Sequence, residues 1–276
     1  MTEPAPTWPA GQRVAVALTI LFETWSDGKS PSYSVQTTNL KPGAVDHAGA
    51  SWASYGGRQG AGRLLRALDR HEVPATFFTN ARCVEQYPDA VARIVRAGHD
   101  LGGHGYTQDG LLAYMEPDEE RATIRRCTDL LTSAAGKPVR GWLSPVLAYT
   151  PHTAGLLAQA GYGWHSDVND ADLPRVMQTP HGPIVGIPTS EFTDNRVLRA
   201  SPRDFVEVYC DTFDYLYRHE PGSLLVLALH CHFGGRPLMT AALDQVLTHI
   251  RKSRDVWFAR HEELAACARA THTPKT

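Results

Sequence analysis

The sequence predicts an α/β protein, a parallel (β/α) barrel of seven or eight strands in one domain. Three observations carry this. Short apolar, β-branched runs alternate with helical periodicities from Arg13 to Ala268, a rhythm that gives parallel strands joined by helices. The run Leu224–Leu229 has no polar break, as a strand covered on both faces requires. No linker splits the 276 residues, and so many strands in one chain imply closure of the sheet.

Taken in order, residues 1–12 are a Pro-rich, polar N-terminal tail, 13–270 the barrel domain and 271–276 a C-terminal tail. Arg13 to Phe22 is the first strand. Residues 26–60 are rich in Ser, Pro, Gly and Thr with little periodicity and read as a loop. A loop that long in a compact domain is usually functional. Its aromatics Tyr33, Trp52 and Tyr55 suggest that it folds over something, as a lid or a subunit contact. A helix over 61–71 with Leu64, Leu65 and Leu68 on one side follows, then strand Val73–Phe78. Pro88 to Ala97 is a helix closed by Gly98. His99–Gly103 is a short strand, and 118–135 a helix entered at Pro117 and ended by Gly136. Strands 139–143 and 162–166 flank a helix at Pro151–Ala160. Residues 167–182 read as a polar loop and 183–187 as a strand. The chain ends with helix Pro202–His219, strand Leu224–Leu229, helix Thr240–Ile250, strand Val256–Ala259 and helix His261–Ala268.

Composition narrows the function. With 42% hydrophobic and 20% charged residues a full core is possible and disorder is not expected. A net charge of -2 gives no electrostatic pull toward nucleic acid or an anionic membrane. The five cysteines are scattered without a CxxC pair, which argues against a disulfide scaffold or zinc knot and fits a reducing cytoplasm. No run approaches the roughly 18 apolar residues of a membrane span.

In a parallel barrel all C-terminal strand ends face one rim. The strand assignments put Glu23, Asn80, His104, Ser144, Asp167, Glu191 and His230 there. One polar strand end is unremarkable; a carboxylate, two imidazoles and several hydrogen-bonding groups together point to a site.

The chain also resembles the polysaccharide deacetylase superfamily, closest to its branch of deacetylase-like allantoinases and cyclic imide hydrolases. The resemblance rests on VAVALTILFE (14–23), WASYGGRQGAGRLLRALDR (52–70), VPATFF (73–78), AGHDLGGHGY (97–106), GKPVRGW (136–142), DADLPR (170–175) and LHCHFGGRP (229–237). It implies a distorted barrel of about seven strands and a hydrolase of carbon–nitrogen bonds other than peptide bonds. The family's carboxylate base falls on Glu23. Its metal-binding carboxylate would fall on Thr24 or Trp25. Its pair of metal-ligating histidines falls on His104 and Gln108, so two of three usual ligands are missing. Its general-acid histidine falls on His230.

Two cofactor states follow: none, or a divalent metal such as zinc on a rearranged Glu23, His104 and His230 set. Without a metal, Glu23 acts as general base on water and His104 or His230 protonates the departing nitrogen, with backbone amides or Arg236 on the oxyanion. This suits a small cyclic amide, imide or ureide. Trp25, Arg58, Gln108, Trp142, Ser144, Asp167, Arg175, His232 and Arg236 are the candidate substrate-binding residues, with Arg175 and Arg58 as cations for a substrate anion or carbonyl. The competing readings are that His232 and Arg236 form a structural pair, and that Trp25, Trp52, Trp142 and Trp164 are core aromatics. Rival functions are a metal-dependent N-deacetylase of an amino sugar or acylated amine, and a non-catalytic binding protein on the same barrel. A small-molecule substrate, a cytoplasmic location and a homo-oligomer (dimer or tetramer) are expected, without nucleic acid or membrane as partner.

Overall fold

A computed structural model describes residues 6–36, 40–41, 43–197 and 201–272. The strands are β1 (Val14–Phe22), β2 (Thr76–Thr79), β3 (Asp100–Gly103), β4 (Gly141–Trp142), β5 (Trp164–Val168), β6 (Arg175–Thr179), β7 (Gly182–Pro188), β8 (Ser223–His230) and β9 (Val256–Ala259). They form one curled sheet in the order β6-β7-β5-β4-β3-β2-β1-β8. β1 is its axis. One edge pairs with β8 from Val14↔Ser223 to Leu21↔His230; the other pairs first with β9 at Val14–Ala17 and then with β2 at Thr19–Phe22. Among the described residues, the barrel is closed between β7 and β8 only by the isolated bridge Thr193↔Ala228.

The helices are α1 (His47–Tyr55), α2 (Ala61–Arg70), α3 (Arg82–Gln86), α4 (Pro88–Arg96), α5 (Pro117–Ala135), α6 (Thr153–Gln159), α7 (Asp194–Val197), α8 (Pro202–His219), α9 (Pro237–Ile250) and α10 (His261–His272). Alternation along β1 divides the core. Val14, Val16, Leu18, Ile20 and Phe22 pack outward against helical residues such as Leu64, Leu68 and Leu243. Ala15, Ala17 and Leu21 point inward with Phe78, Trp164 and Ile187. The small inward residues leave room for the Trp164 indole and for His261, which is fully buried between Thr19 and Thr76.

Three parts of the sequence reading are corrected. Residues 167–182 are not all loop, because β6 pairs antiparallel with β7 from Arg175↔Gly186 to Thr179↔Gly182. Its residues RVMQT are mostly half-buried, so this edge strand lacks a clear apolar period. The stretch 26–60 contains α1, capped by Asp46, which accepts from the Gly49 N–H at 2.9 Å; its Gly, Ala and Ser content hides the period. Residues 37–39 and 42 of that stretch lie outside the described residues. Both tails are also tied in at their inner ends. Trp8 is buried and donates to the Ser223 carbonyl at 2.8 Å, and α10 runs on to His272.

Candidate active site

Register brings the site together. Phe22 pairs with Thr79, Thr79 with Gly103, and Leu21 with His230. Strand ends far apart in sequence thus finish at one level, and Glu23, Asn80, His104 and His230 share one rim. Asn80 locks two of them: its Oδ1 accepts the Thr24 N–H at 2.8 Å and its Nδ2 donates to the His104 carbonyl.

Glu23 is buried, and its Oε1 lies 3.5 Å from both His104 Nε2 and His230 Nε2. His232 Nδ1 is 3.8 Å from Oε2. Burial alone would raise the carboxyl, but the charge of His230, with His104 and His232 beside it, lowers it to about 2. His230 shows the mirror effect. Burial disfavours its charged form, yet Asp194 and then Glu23 raise it to about 9. Asp194 Oδ1 stands 2.5 Å from His230 Nδ1, and Oδ2 accepts the His230 backbone N–H at 2.8 Å. Near neutral pH the pair is carboxylate and imidazolium.

His104 is held differently. Its Nδ1 donates to the Leu143 carbonyl at 2.6 Å, so the neutral ring presents an Nε2 lone pair. Neither that nitrogen nor Glu23 Oε1 has a hydrogen-bond partner among the described residues. Two acceptors therefore converge on one point beside an imidazolium. Tyr33 completes the group from the long 26–46 segment, its hydroxyl 3.0 Å from His232 Nε2 and 3.4 Å from Glu23 Oε2. These groups border a cavity of about 100 Å³, also lined by Gln108, Ser144, Ser190, Asn195 and Arg196.

The other sequence candidates separate. Gln108 and Ser144 line the cavity. Asp167 sits behind Ser144 and accepts its N–H at 2.7 Å and its hydroxyl at 2.9 Å. His232 is buried under the edges of Trp25 and Trp52, its ring 5.3 and 5.1 Å from theirs, and burial lowers it to about 3. Trp25 borders a second, polar cavity on the other side of Glu23. Four candidates are directed elsewhere. Trp142 is in the core and donates to Ser144 Oγ at 3.0 Å. Arg236 donates to the Trp52 carbonyl at 3.1 Å and lies over the Tyr55 ring, tying α1 to the turn after β8. Arg175 pairs with Asp170 at 2.8 Å on the edge strand. Arg58 is exposed on the π-helical stretch Gly56–Gly60 that joins α1 to α2. Glu191, expected at the rim, is exposed; the buried carboxylate there is Asp194.

Asp194 and Tyr33 are the site residues that strand-end reasoning missed. Asp194 follows β7 by six residues on a four-residue helix, so it ends no strand. The TDN triplet at 193–195 was its only visible signal.

A three-ligand set for a divalent cation is incomplete here. Thr24 gives its hydroxyl to Gln86 Oε1 at 2.5 Å, Gln108 is a neutral amide, and His230 is committed to Asp194 on one side and directs its other N–H at Glu23. At Oε1, among the described residues, Glu23 and His104 remain as free anionic or lone-pair donors, with His232 Nδ1 3.8 Å away at Oε2, where a stable site takes three. Among the described residues no three His, Cys, Asp or Glu side chains are grouped as ligands.

A buried carboxylate facing an imidazolium at the mouth of a (β/α) barrel defines a hydrolase-type site. The polysaccharide deacetylase family model matches residues 53–164. A peptidoglycan deacetylase of Helicobacter pylori is 24% identical over 250 residues, which are 76% of this chain and 84% of that protein. The crystal structure of a probable polysaccharide deacetylase from Pseudomonas aeruginosa PAO1 superposes with a TM-score of 0.88 at 28% identity, covering 98% of this chain and 95% of that one. The structure of Puue allantoinase gives 0.86 at 29% identity, covering 100% and 96%. Over residues 53–164 the chain carries a polysaccharide deacetylase-like domain, and over its whole length it is similar to hydrolases of carbon–nitrogen bonds. Among the described residues no helix is long and apolar enough to cross a membrane.

Proposed function

We propose that this protein hydrolyses the C–N bond of a small cyclic amide, imide or ureide, with Glu23 as general base and His230 as general acid. One observation carries the reading: Glu23 Oε1 is 3.5 Å from both His104 Nε2 and His230 Nε2. A water hydrogen-bonded to Glu23 and His104 loses a proton to Glu23 as its oxygen bonds to the substrate carbonyl carbon. The C–N bond then breaks, and the nitrogen takes the proton from His230 Nε2. A carboxylate near pKa 2 is a weak base while the imidazolium persists. As His230 gives up its proton the basicity of Glu23 rises. The Glu23 proton then returns to His230, which resets the site. The Tyr33 hydroxyl, beside Glu23 in the cavity, is the donor this reading gives to the carbonyl oxygen. The cavity of about 100 Å³ favours a small ring over a polymer, and the likeness to an allantoinase structure supports a ureide.

A second reading, N-deacetylation of an amino sugar, is favoured by the names of the curated relatives. One experiment separates the two. The purified protein is assayed on hydantoin, succinimide, allantoin and chitooligosaccharides, with and without chelator. The proposed function predicts turnover of a cyclic substrate, unchanged by chelator and lowered by a factor of about 10² to 10⁴ in Glu23→Gln. Deacetylation that chelator abolishes and zinc restores would replace it.

A further inference from the structure

The cavity has a charge axis that the general acid–base pair does not use. Glu23 is at its floor. On the wall formed by α7 stands Arg196, the one lysine or arginine lining the cavity among the described residues. Arg196 is exposed, and its guanidinium makes no hydrogen bond or ion pair among them. Its neighbour Asn195 also lines the cavity; its Oδ1 accepts the Thr193 hydroxyl at 2.6 Å, which leaves the amide N–H groups as donors. The carboxylate next door in sequence, Asp194, does not compensate Arg196, because it is buried and bonded to His230. The charge of Arg196 is felt at the site, where it lowers the proton affinity of His230 against the pull of Asp194 and Glu23. Ser144, Ser190 and Gln108, which also line the cavity, carry no charge.

We infer that Arg196, with Asn195, is the specificity determinant for a substrate carboxylate, so that the protein takes cyclic ureides or imides bearing an acid group. This rests on the cyclic-substrate reading above and narrows it. The orientation follows from the same axis. A carboxylate at the floor would meet Glu23 and be repelled, whereas at the α7 wall it gains a charge-assisted, bidentate partner. That places the ring carbonyl toward Glu23 and His230. The anionic group is held away from the carbon that is attacked, so its contact with Arg196 is made equally before and during reaction and acts on KM more than on kcat.

The test compares hydantoin-5-acetate with its methyl ester, which share a ring and differ in charge. Binding is measured by calorimetry and turnover by steady-state kinetics, for the unmodified protein, Arg196→Met and Arg196→Lys. The expected result is tighter binding of the acid than the ester by about tenfold or more, the scale of one charge-assisted pair. Arg196→Met removes that preference, so that acid and ester bind alike, and Arg196→Lys restores part of it. Equal affinity for acid and ester, or a preference that survives Arg196→Met, overturns the assignment while turnover of both keeps the cyclic-substrate reading. Neither compound binding would remove that reading and this inference with it.

Discussion

Asp194 and His230 are joined twice, Oδ1 lying 2.5 Å from the ring Nδ1 and Oδ2 accepting the same residue's backbone N–H at 2.8 Å. The ring is thereby fixed with Nε2 toward Glu23 and kept protonated up to about pH 9. In Asp194→Asn the amide keeps an acceptor for one of these bonds but not the charge. The imidazolium then loses its largest favourable partner. If His230 is the general acid, kcat/KM of the unmodified enzyme holds through neutral pH and falls as pH rises through about 9. The Asn variant should show that limb displaced acidward by at least about one unit, equivalent to about 1.4 kcal/mol of lost charge interaction. An alkaline limb at the same pH in both proteins would show that His230 is not the acid.

Tyr33 reaches the same carboxylate from the segment before α1, whose described residues form no helix or strand. Its hydroxyl hydrogen-bonds His232 and Glu23, and burial beside Glu23 and Asp194 pushes it well above the usual phenol range. It therefore stays a donor at any working pH. Tyr33→Phe keeps the ring against Trp52 and removes only the donor. The expected outcome is a fall in kcat of about 10-fold to 10³-fold with KM nearly unchanged, as for a donor used in the transition state. A rise in KM at constant kcat would make Tyr33 a binding contact instead.

The rim was legible because a parallel sheet puts every strand end at one level. Glu23, His104 and His230 each close an apolar strand, so their convergence needed only the strand assignments. What escaped lies off the strands. Asp194 reaches His230 across the gap where the described residues give the barrel one bridge and no ladder, and no periodicity marks a gap. Arg58, Arg175 and Arg236 were plausible cations because they stand in the stretches that carry the family resemblance. Their guanidiniums follow helix and strand orientation, which a rim argument does not constrain. Trp142 ends a strand too, but its side chain points to the outer core beside Tyr162; a one-residue step along a strand changes the face.

A buried histidine remote from the rim sets the acid stability. His261 is fully buried, hydrogen-bonded to Thr19 and Thr76 and stacked on Trp164 at 5.4 Å. Burial lowers it from 6.5 to about 4. The folded state keeps the ring neutral while the unfolded chain protonates it below 6.5. Its contribution is thus complete above pH 6.5 and is lost as pH falls toward 4, at about 1.4 kcal/mol per unit. Urea unfolding at pH 7, 6 and 5 should show this decline. His261→Phe should reduce the slope between pH 6 and 5 by about that amount, whatever its effect at pH 7. An identical slope in the two proteins would mean that His261 titrates normally in the fold.

The glycines of YGGRQG and HFGGRP fit one close approach. A Cβ on Gly60 would lie 1.8 Å from the Cys231 carbonyl oxygen, and one on Gly235 would lie 2.4 Å from Gly60 Cα. The turn after β8 is thereby pressed onto the segment joining α1 to α2, with Arg236 fastened to the Trp52 carbonyl on the far side. Backbone is in contact with backbone, so no side chain can yield. Gly60→Ala must move the turn that carries His232 and begins one residue after His230. The expected cost is about 1–3 kcal/mol from overpacking, read as a lower urea midpoint, together with a drop in kcat from displaced imidazoles. Gly62→Ala, two residues on in α2, is the control. Its Cβ would meet nothing nearer than 3.7 Å, and exchange of a helical glycine for alanine there should raise stability by about 0.5–1 kcal/mol. If the two variants behave alike, the close approach does not hold the turn.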